Sequence, residues 1–153
     1  MPADANALRA EVQRFVRGFG LLEGGRTPCG KRRPTPEAHA LMALLEASRR
    51  GGAVTHRGLA ALLNVDKSNV TRLCQRLVDA GELEQARGEG DARTRRLALT
   101  PKGVRAARGL ERSSAERFER LLAAVPRPQR APLLDGLRAL NAALAEQTAE
   151  VKA

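Results

Sequence analysis

Residues 55–103 read THRGLAALLNVDKSNVTRLCQRLVDAGELEQARGEGDARTRRLALTPKG, and their pattern predicts helix, tight turn, helix, strand, hairpin tip, strand and the start of another helix. Thr55 is suited to cap the first helix, and Asp66 to cap the second. Leu59, Leu62 and Leu63 recur at helical spacing between these caps. This order of elements is typical of a winged helix-turn-helix, a module whose second helix enters the major groove of DNA.

The second helix of this segment has one apolar and one polar face. The apolar face consists of Val70, Leu73, Cys74, Leu77 and Val78, spaced i, i+3, i+4, i+7 and i+8. The polar face consists of Lys67, Ser68, Asn69, Thr71, Arg72, Gln75 and Arg76. A first turn of this kind suits phosphate oxygens and base edges, because the free backbone amides point the same way.

Two interpretations of the polar face stay open. It is either an ordinary solvated helix face or a surface that reads DNA. In the second case Arg72 would fork onto a guanine and Asn69 would pair with an adenine.

The residues that follow predict a basic β-hairpin. Gly81 is placed to end the second helix in a left-handed conformation. Residues 82–87 and 95–99 are strand-like and flank a glycine-rich tip at 88–93. Thr100 and Pro101 then suit a helix cap and a first helical position. From residue 67 to residue 108 there are 10 Lys or Arg and 5 Asp or Glu, so half of the net charge of +10 lies here.

These segments resemble the MarR-type winged-helix transcriptional regulators. The resemblance rests on LAALLNVDKSNVTRLCQRLVDAGELEQ, on the Asp91-Ala92-Arg93 tip and on the LTPKG exit, and it extends more loosely over nearly the whole chain. It implies that Arg93 reaches a minor groove and that Asp91 orients nearby basic groups. The expected DNA-binding residues are Lys67, Ser68, Asn69, Thr71, Arg72, Arg76, Asp91 and Arg93.

Length and composition favour one mainly α domain, residues 1–153, with a small β-hairpin. Only three of the 153 residues are aromatic, all of them Phe, and a core of Leu, Ala and Val suits a helical protein. The excess of basic residues favours a polyanionic partner, either nucleic acid or anionic lipid. No apolar run approaches the length of a membrane span and no signal peptide opens the chain, so we expect a soluble, cytoplasmic protein with no membrane partner.

Apolar stripes near both ends predict a homodimer. Leu8, Val12, Phe15, Phe19 and Leu22 recur in steps of four and three, as do Leu133, Leu137, Leu140 and Leu144. Such stripes need partner helices. We therefore expect dimerisation helices at 5–22 and 129–150, which flank the winged helix-turn-helix region at 35–103 and a long connecting helix at 101–124. The alternative is that the two terminal helices pack only on each other within one chain.

The connection before residue 35 is rich in Pro and Gly and departs from the family's pattern. Its basic run Lys31-Arg32-Arg33 either contacts DNA phosphates or belongs to a solvated loop. Thr35-Pro36-Glu37 then predicts a helix start, with Thr35 as the cap. Cys29 lies among these cations, which favour a reactive thiolate, and it is either a redox-active thiol or a bystander.

No pattern in the sequence supports an enzyme, a cofactor or a bound metal. His39 and His56 are isolated, and neither has metal-ligand spacing to Cys29 or Cys74. We therefore expect a dimeric regulator, a repressor that a small molecule or a stress signal releases from a pseudo-palindromic operator. The alternative is a nonspecific nucleoid-type DNA-binding or protein-interaction module with the same fold.

Overall fold

The structure, a computed structural model, describes residues 3–87 and 95–152. In these ranges six helices and three short strands follow one another. Their bounds are α1 Ala3–Phe19, α2 Thr35–Arg49, β1 Val54–Thr55, α3 His56–Leu63, α4 Lys67–Asp79, β2 Leu83–Arg87, β3 Arg95–Leu99, α5 Pro101–Ala124 and α6 Arg127–Lys152. The chain divides into two compact units, Met1–Ser114 and Ala115–Ala153. The prediction of a mainly α winged helix-turn-helix fold is confirmed.

The predicted caps of the helix-turn-helix are confirmed. The Thr55 hydroxyl accepts a hydrogen bond from the Gly58 amide at 3.1 Å, and the Asp66 carboxylate accepts one from the Asn69 amide at 2.8 Å. Gly81 ends α4 with φ 68°. Its amide donates to the Val78 carbonyl while the Glu82 amide donates to the Leu77 carbonyl, the pair of bonds that defines a Schellman motif.

The predicted cap of α2 is wrong. Thr35 is the first helical residue and Pro34 occupies the cap position. The reason is that the Ala38 amide already donates to the Pro34 carbonyl at 3.2 Å, so the helical hydrogen bonds start one residue earlier. The Thr35 hydroxyl is buried and has no hydrogen-bond partner among the described residues.

The core of the first unit joins α2, α3, α4, the strands and the first turns of α5. Val70, Leu73, Cys74 and Leu77 are buried, and Val78 is partly buried, so the apolar stripe of α4 is confirmed. Burying such side chains contributes about 1.5 to 3 kcal/mol each. This packing fixes the rotation of α4 about its axis and therefore decides which of its side chains face solvent.

The strands form one antiparallel sheet in the order β1-β3-β2. Leu83 of β2 pairs with Leu99, and Val54 of β1 pairs with Leu97. The two strands of the predicted hairpin are thus present within a residue of their expected bounds. Strand β1 was not predicted, because two residues cannot show the alternation of a strand.

The start of α5 is joined directly to the end of α4. The Thr100 hydroxyl accepts from the Gly103 amide at 3.1 Å, as a cap does, and donates to the Gly81 carbonyl at 2.7 Å. The Lys102 ammonium donates to the Ala80 carbonyl at 2.6 Å. The LTPKG exit therefore satisfies carbonyl groups left open at the end of α4.

Both terminal helices expose their apolar stripes. None of the described residues of α1 is buried, and the exposed fractions of Leu8 and Phe15 are 50% and 54%. The Phe15 and Phe19 rings stack with their centroids 4.9 Å apart. In α6, Leu137 and Leu144 are 49% and 52% exposed. The predicted terminal helices are present, although α1 ends at Phe19 because Gly20 adopts φ 84°.

Candidate nucleic-acid interface

The polar face of α4 lies in solvent, as the helical periodicity predicted. Its exposed side chains are Lys67, Ser68, Asn69, Thr71, Arg72, Gln75 and Arg76. The helix therefore brings together, on one face, the predicted DNA-binding residues other than Asp91 and Arg93. Those two lie outside the described residues.

The first turn of α4 is organised around the Asp66 carboxylate. The Ser68 hydroxyl donates to Oδ1 at 2.6 Å, and the Asn69 side-chain amide donates to Oδ2 at 2.6 Å. The hydrogen bond from Ser68, followed by that from the Asn69 backbone amide, holds the pKa of Asp66 below its ordinary value. Asn69 retains a second amide hydrogen and its carbonyl oxygen for another partner. The bonds to Asp66 thus orient both side chains before any ligand binds.

The exposed side chains further along α4 differ in their hydrogen-bond partners. Thr71 donates to the Lys67 carbonyl at 2.9 Å, and Gln75 donates to Asp79 at 2.8 Å. Arg72 is exposed, and its positive charge also lowers the pKa of Asp66. Two exposed side chains of α4, Arg72 and Arg76, have the five-donor guanidinium that suits guanine.

Arg76 is held by a carboxylate on another helix. Its Nε donates to Glu37 Oε1 at 2.7 Å, and the Glu37 side chain is only 12% exposed. The sequence indicated Glu37 only as an acid in the first turn of α2. Because 39 residues separate the two, no local pattern could have found this pair. Arg76 therefore has a fixed orientation on the exposed face.

Arg33 pairs with Glu82, the last of the three residues between α4 and β2. Its Nη1 and Nη2 donate to the two carboxylate oxygens at 2.8 and 2.6 Å, and its Nη1 lies 3.7 Å from Glu37 Oε2. The Glu82 side chain is 5% exposed. Arg33 is therefore neither a phosphate contact nor a solvated loop residue, because its guanidinium is paired with Glu82 within the fold. Lys31 and Arg32 remain exposed.

The loop that carries Arg33 is ordered by its own hydrogen bonds. Thr27 is buried, and its hydroxyl accepts from the Lys31 amide at 3.0 Å. Gly30 closes the turn with φ 88° and donates to the Thr27 carbonyl. The partly buried Cys29 has its sulfur 3.0 Å from the Thr27 hydroxyl. This compact turn sets the position from which Arg33 reaches Glu82.

The described part of the hairpin adds basic side chains. Arg95 and Arg96 are exposed, and Arg95 donates to Gln85 across the strands at 3.2 Å. Partial burial, together with the charge of Arg95, lowers the pKa of His56 at the start of α3. The base of the hairpin is therefore cationic, and His56 is held toward its neutral form.

A cleft of about 300 Å³ lies between the Arg33 loop and α5. Its lining residues are Lys31, Arg32, Arg33, Arg105, Ala106, Gly109 and Leu110. Basic groups surround an apolar surface of α5, and no carboxylate is part of the lining. Such a cleft suits a small organic anion.

The remaining His, Cys, Asp and Glu side chains do not form a metal site in the part of the chain described. Residues 3–87 and 95–152 contain no group of three or more His, Cys, Asp or Glu placed to hold a metal ion. Burial raises the pKa of the Cys74 thiol to about 11.

Within residues 3–87 and 95–152, no helix has the length and apolarity that crossing a membrane requires.

Comparison with known proteins agrees with this geometry. Residues 34–94 match the model of the MarR family. No curated protein matches the chain. Among solved structures, FabT from Streptococcus pneumoniae in complex with DNA is similar with a TM-score of 0.70 and 23% identity, over 94% of this chain and 96% of FabT. PcaV from Streptomyces coelicolor with its natural ligand has a TM-score of 0.67 and 23% identity, over 90% and 91% of the two chains. MepR from S. aureus in complex with DNA has a TM-score of 0.65 and 15% identity, over 91% and 94%.

Proposed function

We propose that this chain, whose residues 34–94 match the model of the MarR family, is a member of that family and a homodimeric transcriptional regulator that binds DNA and responds to a small molecule. The observation that carries the proposal is the exposed polar face of α4. Its first turn is preset by Asp66, and its rotation is fixed by four buried side chains on the opposite face. A helix held in this way can present its side chains to a major groove without further ordering.

The DNA contacts of the proposal come from two elements. Lys67, Ser68, Asn69, Thr71, Arg72 and Arg76 of α4 would contact the major groove and the phosphates beside it. Asp91 and Arg93 would act at the wing, with Arg93 in a minor groove, where a narrow groove attracts a cation. The exposed Arg95 and Arg96 add charge at the base of the same hairpin.

Dimerisation would occur through the terminal helices. The exposed stripes of α1 and α6 support this, because soluble proteins rarely leave such rows of large apolar side chains in water. A symmetric dimer would place two copies of α4 on half-sites about one helical turn apart, roughly 34 Å. The operator would then be pseudo-palindromic, and bound dimer would repress transcription. In this proposal the whole chain works as one regulator in the cytoplasm, with residues 35–103 on DNA, and catalyses no reaction.

Release by a small molecule is the second part of the proposal. Related folds have been solved with small molecules bound, among them PcaV with its natural ligand and NadR with 4-hydroxyphenylacetate. The cleft beside α5 gives this chain a place for such a ligand.

Selection of bound sequences from a random DNA pool tests the DNA-binding part. The expected result is a palindromic motif whose half-sites lie about one turn apart. The selected duplex should then bind at least about 10³ times more tightly than unrelated competitor DNA. Equal affinity for both duplexes would favour the alternative, a nonspecific nucleoid-type binder.

A further inference from the structure

We propose that Asp66 determines which bases α4 reads, because it takes the hydroxyl hydrogen of Ser68 and one side-chain amide hydrogen of Asn69. Both residues are then left to accept hydrogen bonds from an adenine or a cytosine. The inference deepens the proposed function and rests on it. It makes Asp66 a positioning residue that sets base specificity through its two neighbours.

The two oxygens of the Asp66 carboxylate have different partners. Oδ1 accepts from the Ser68 hydroxyl at 2.6 Å and from the Asn69 backbone amide at 2.8 Å, the bond that caps the helix. Oδ2 accepts from the Asn69 side-chain amide at 2.6 Å. One oxygen therefore holds the cap and the other holds the Asn69 side chain, so a substitution can separate the two roles.

The carboxylate allows one orientation of each neighbour, because an ionised carboxylate has no hydrogen to donate. The Asn69 atom that faces Oδ2 must be its nitrogen, since its oxygen would face a second acceptor. For the same reason the Ser68 hydroxyl must point its hydrogen at Oδ1. The hydrogen bond from Ser68, followed by that from the Asn69 backbone, holds the pKa of Asp66 below its ordinary value, so the carboxylate is ionised at neutral pH.

The groups that Asn69 and Ser68 have left decide which bases they suit. Asn69 keeps its oxygen and one amide hydrogen. This combination matches adenine, which donates from N6 and accepts at N7, whereas guanine accepts at both O6 and N7 and would need two amide hydrogens. Ser68 keeps only its lone pairs, which suit the amino group of adenine or cytosine.

The first turn of α4 places both groups within reach of a base. Ser68 and Asn69 are exposed, and they lie on the polar face that also carries Arg72. The Arg72 guanidinium has donors only, so it suits guanine. The helix would thus present acceptors in its first turn and donors one turn later. This asymmetry would distinguish the two directions in which α4 could lie along a half-site.

Asn69→Ala locates the base pair that Asn69 reads. Affinity is measured for the duplex selected by the native protein and for duplexes that carry each of the other base pairs at each position. The variant should lose the preference for adenine over guanine at one position of each half-site. The loss should be at least about fivefold, the lower end of what a bidentate contact contributes. If Asn69→Ala keeps every preference, Asn69 does not read a base and the proposal is wrong.

Asp66→Asn is the decisive variant. Asparagine caps a helix as well as aspartate does, so the fold should be kept. Its side-chain oxygen can take over the bonds of Oδ1, while its nitrogen replaces Oδ2 and turns the Asn69 amide over. Asn69 then offers both amide hydrogens, so its preference for adenine over guanine should fall at least about fivefold. The bond to Ser68 is kept, and preferences at the other positions should stay native.

Two controls separate this effect from changes in stability and in charge. Thr55→Ala removes the corresponding cap of α3, where the Thr55 hydroxyl accepts from the Gly58 amide at 3.1 Å. It should lower the melting temperature and leave the base preferences unchanged. Loss of the Asp66 charge should also raise affinity for any duplex, because it removes repulsion from the phosphates. That gain cancels in a ratio between two duplexes.

A merely capping role for Asp66 would give a different result. In that case Asp66→Asn would change the melting temperature or the overall affinity but keep the native preference for adenine, which would overturn the proposal. If Asp66→Asn does not fold, Asp66→Ser replaces it. Serine also caps helices, but it offers one oxygen instead of two and so releases the Asn69 side chain. An unchanged adenine preference in Asp66→Ser would equally overturn the proposal.

The same measurements distinguish this inference from the proposed function. A native protein that selects no motif would refute the proposed function, and this inference with it. A native motif whose adenine preference survives in Asp66→Asn would refute this inference alone.

Discussion

A Cβ atom on Gly103 would lie 2.0 Å from the backbone carbonyl oxygen of Glu82. Real Cβ atoms do not come this close to backbone oxygens, so the first turn of α5 can rest on this carbonyl only because residue 103 has no side chain. The same carbonyl accepts the Thr100 amide at 3.1 Å. Gly103 thus allows the contact by which α5 begins against the joint between α4 and β2.

Gly103→Ala should destabilise the protein by about 3 kcal/mol, at the upper end of the usual cost of overpacking, because both clashing groups are backbone. Gly109→Ala is the matched control on the same helix. Its new Cβ meets nothing within 4 Å. It should stabilise the protein by about 0.5 to 1 kcal/mol through helix propensity. Urea denaturation of both variants tests this, and equal stabilities would contradict the close contact.

Arg72→Ala and Arg93→Ala should impair DNA binding in different ways. Arg72→Ala should cost about 1 to 3 kcal/mol and relax specificity at one position of each half-site. Arg93→Ala should weaken binding to many sequences and flatten its salt dependence, because a cation in a minor groove reads shape and potential. Binding curves at several salt concentrations, on selected and scrambled duplexes, distinguish them. Native-like binding by Arg93→Ala on both duplexes would mean that residue 93 does not contact DNA.

Phe15→Glu should weaken dimerisation, since it places a charge in the exposed stripe of α1. Losing one buried Phe costs about 1.5 to 3 kcal/mol per protomer, which is roughly tenfold or more in dimer affinity. Gln13→Glu adds the same charge to an exposed position of the same helix outside the stripe and serves as the control. Sedimentation equilibrium measures both. A variant lacking residues 1–22 that stays soluble, monomeric and fully competent for operator binding would refute the dimer.

The two cysteines should behave differently toward thiol reagents and peroxide. In Cys29→Ser the remaining thiol, Cys74, is buried with a pKa of about 11, so it should not react with iodoacetamide at pH 8 until the protein unfolds. The same variant should keep native operator affinity and any native response to peroxide, because the sulfur of Cys29 lies against the Thr27 hydroxyl in a compact turn. Rapid labelling of Cys74, or loss of an existing peroxide response, would contradict these expectations.

Stability should fall as His56 becomes protonated. Its pKa in the folded protein lies below the ordinary 6.5, chiefly through burial and then through the charge of Arg95. The unfolded chain therefore binds the proton more readily. The contribution of neutral His56 to stability is present above pH 6.5 and is lost as the pH falls through the folded-state pKa. Arg95→Gln should raise this pKa toward 6.5, as read from the His56 ring protons by NMR, with His39→Gln used for assignment. A pKa that stays the same would exclude Arg95 as a cause.

Features of the fold with a short-range cause could be predicted from the sequence. The buried stripe of α4, its cap at Asp66 and its end at Gly81 each depend on residues within two turns of one helix. The exposed face of α4 followed from the same periodicity, so the major-groove part of the candidate site was visible in the sequence. The LTPKG exit was equally readable, because a cap and a proline at the first helical position are local signals.

The interactions that the sequence did not reveal are long-range. Arg33 and Glu82 are 49 residues apart, and Arg76 and Glu37 are 39 apart, so no spacing rule connects them. In the sequence Arg33 was indistinguishable from its exposed neighbours Lys31 and Arg32. Its distinguishing feature is the pair of hydrogen bonds to Glu82, a contact that the sequence alone does not show. For Thr35 a local signal gave a wrong prediction. Its sequence suits a helix cap, but the Pro34 carbonyl already accepts a helical hydrogen bond, so the helix begins one residue earlier.

The bonds between the end of α4 and the start of α5 also determine where the chain can be cut in protein engineering. Thr100 and Lys102 donate to the carbonyls of Gly81 and Ala80, and Gly103 leaves room for that of Glu82. If α4 were transplanted as a segment that ended at Gly81, the Ala80 and Gly81 carbonyls would lose the hydrogen bonds from Lys102 and Thr100. Residues 66–103 are therefore the smallest segment that would carry the DNA contacts proposed for α4 and the hairpin into another winged-helix scaffold with these hydrogen bonds intact.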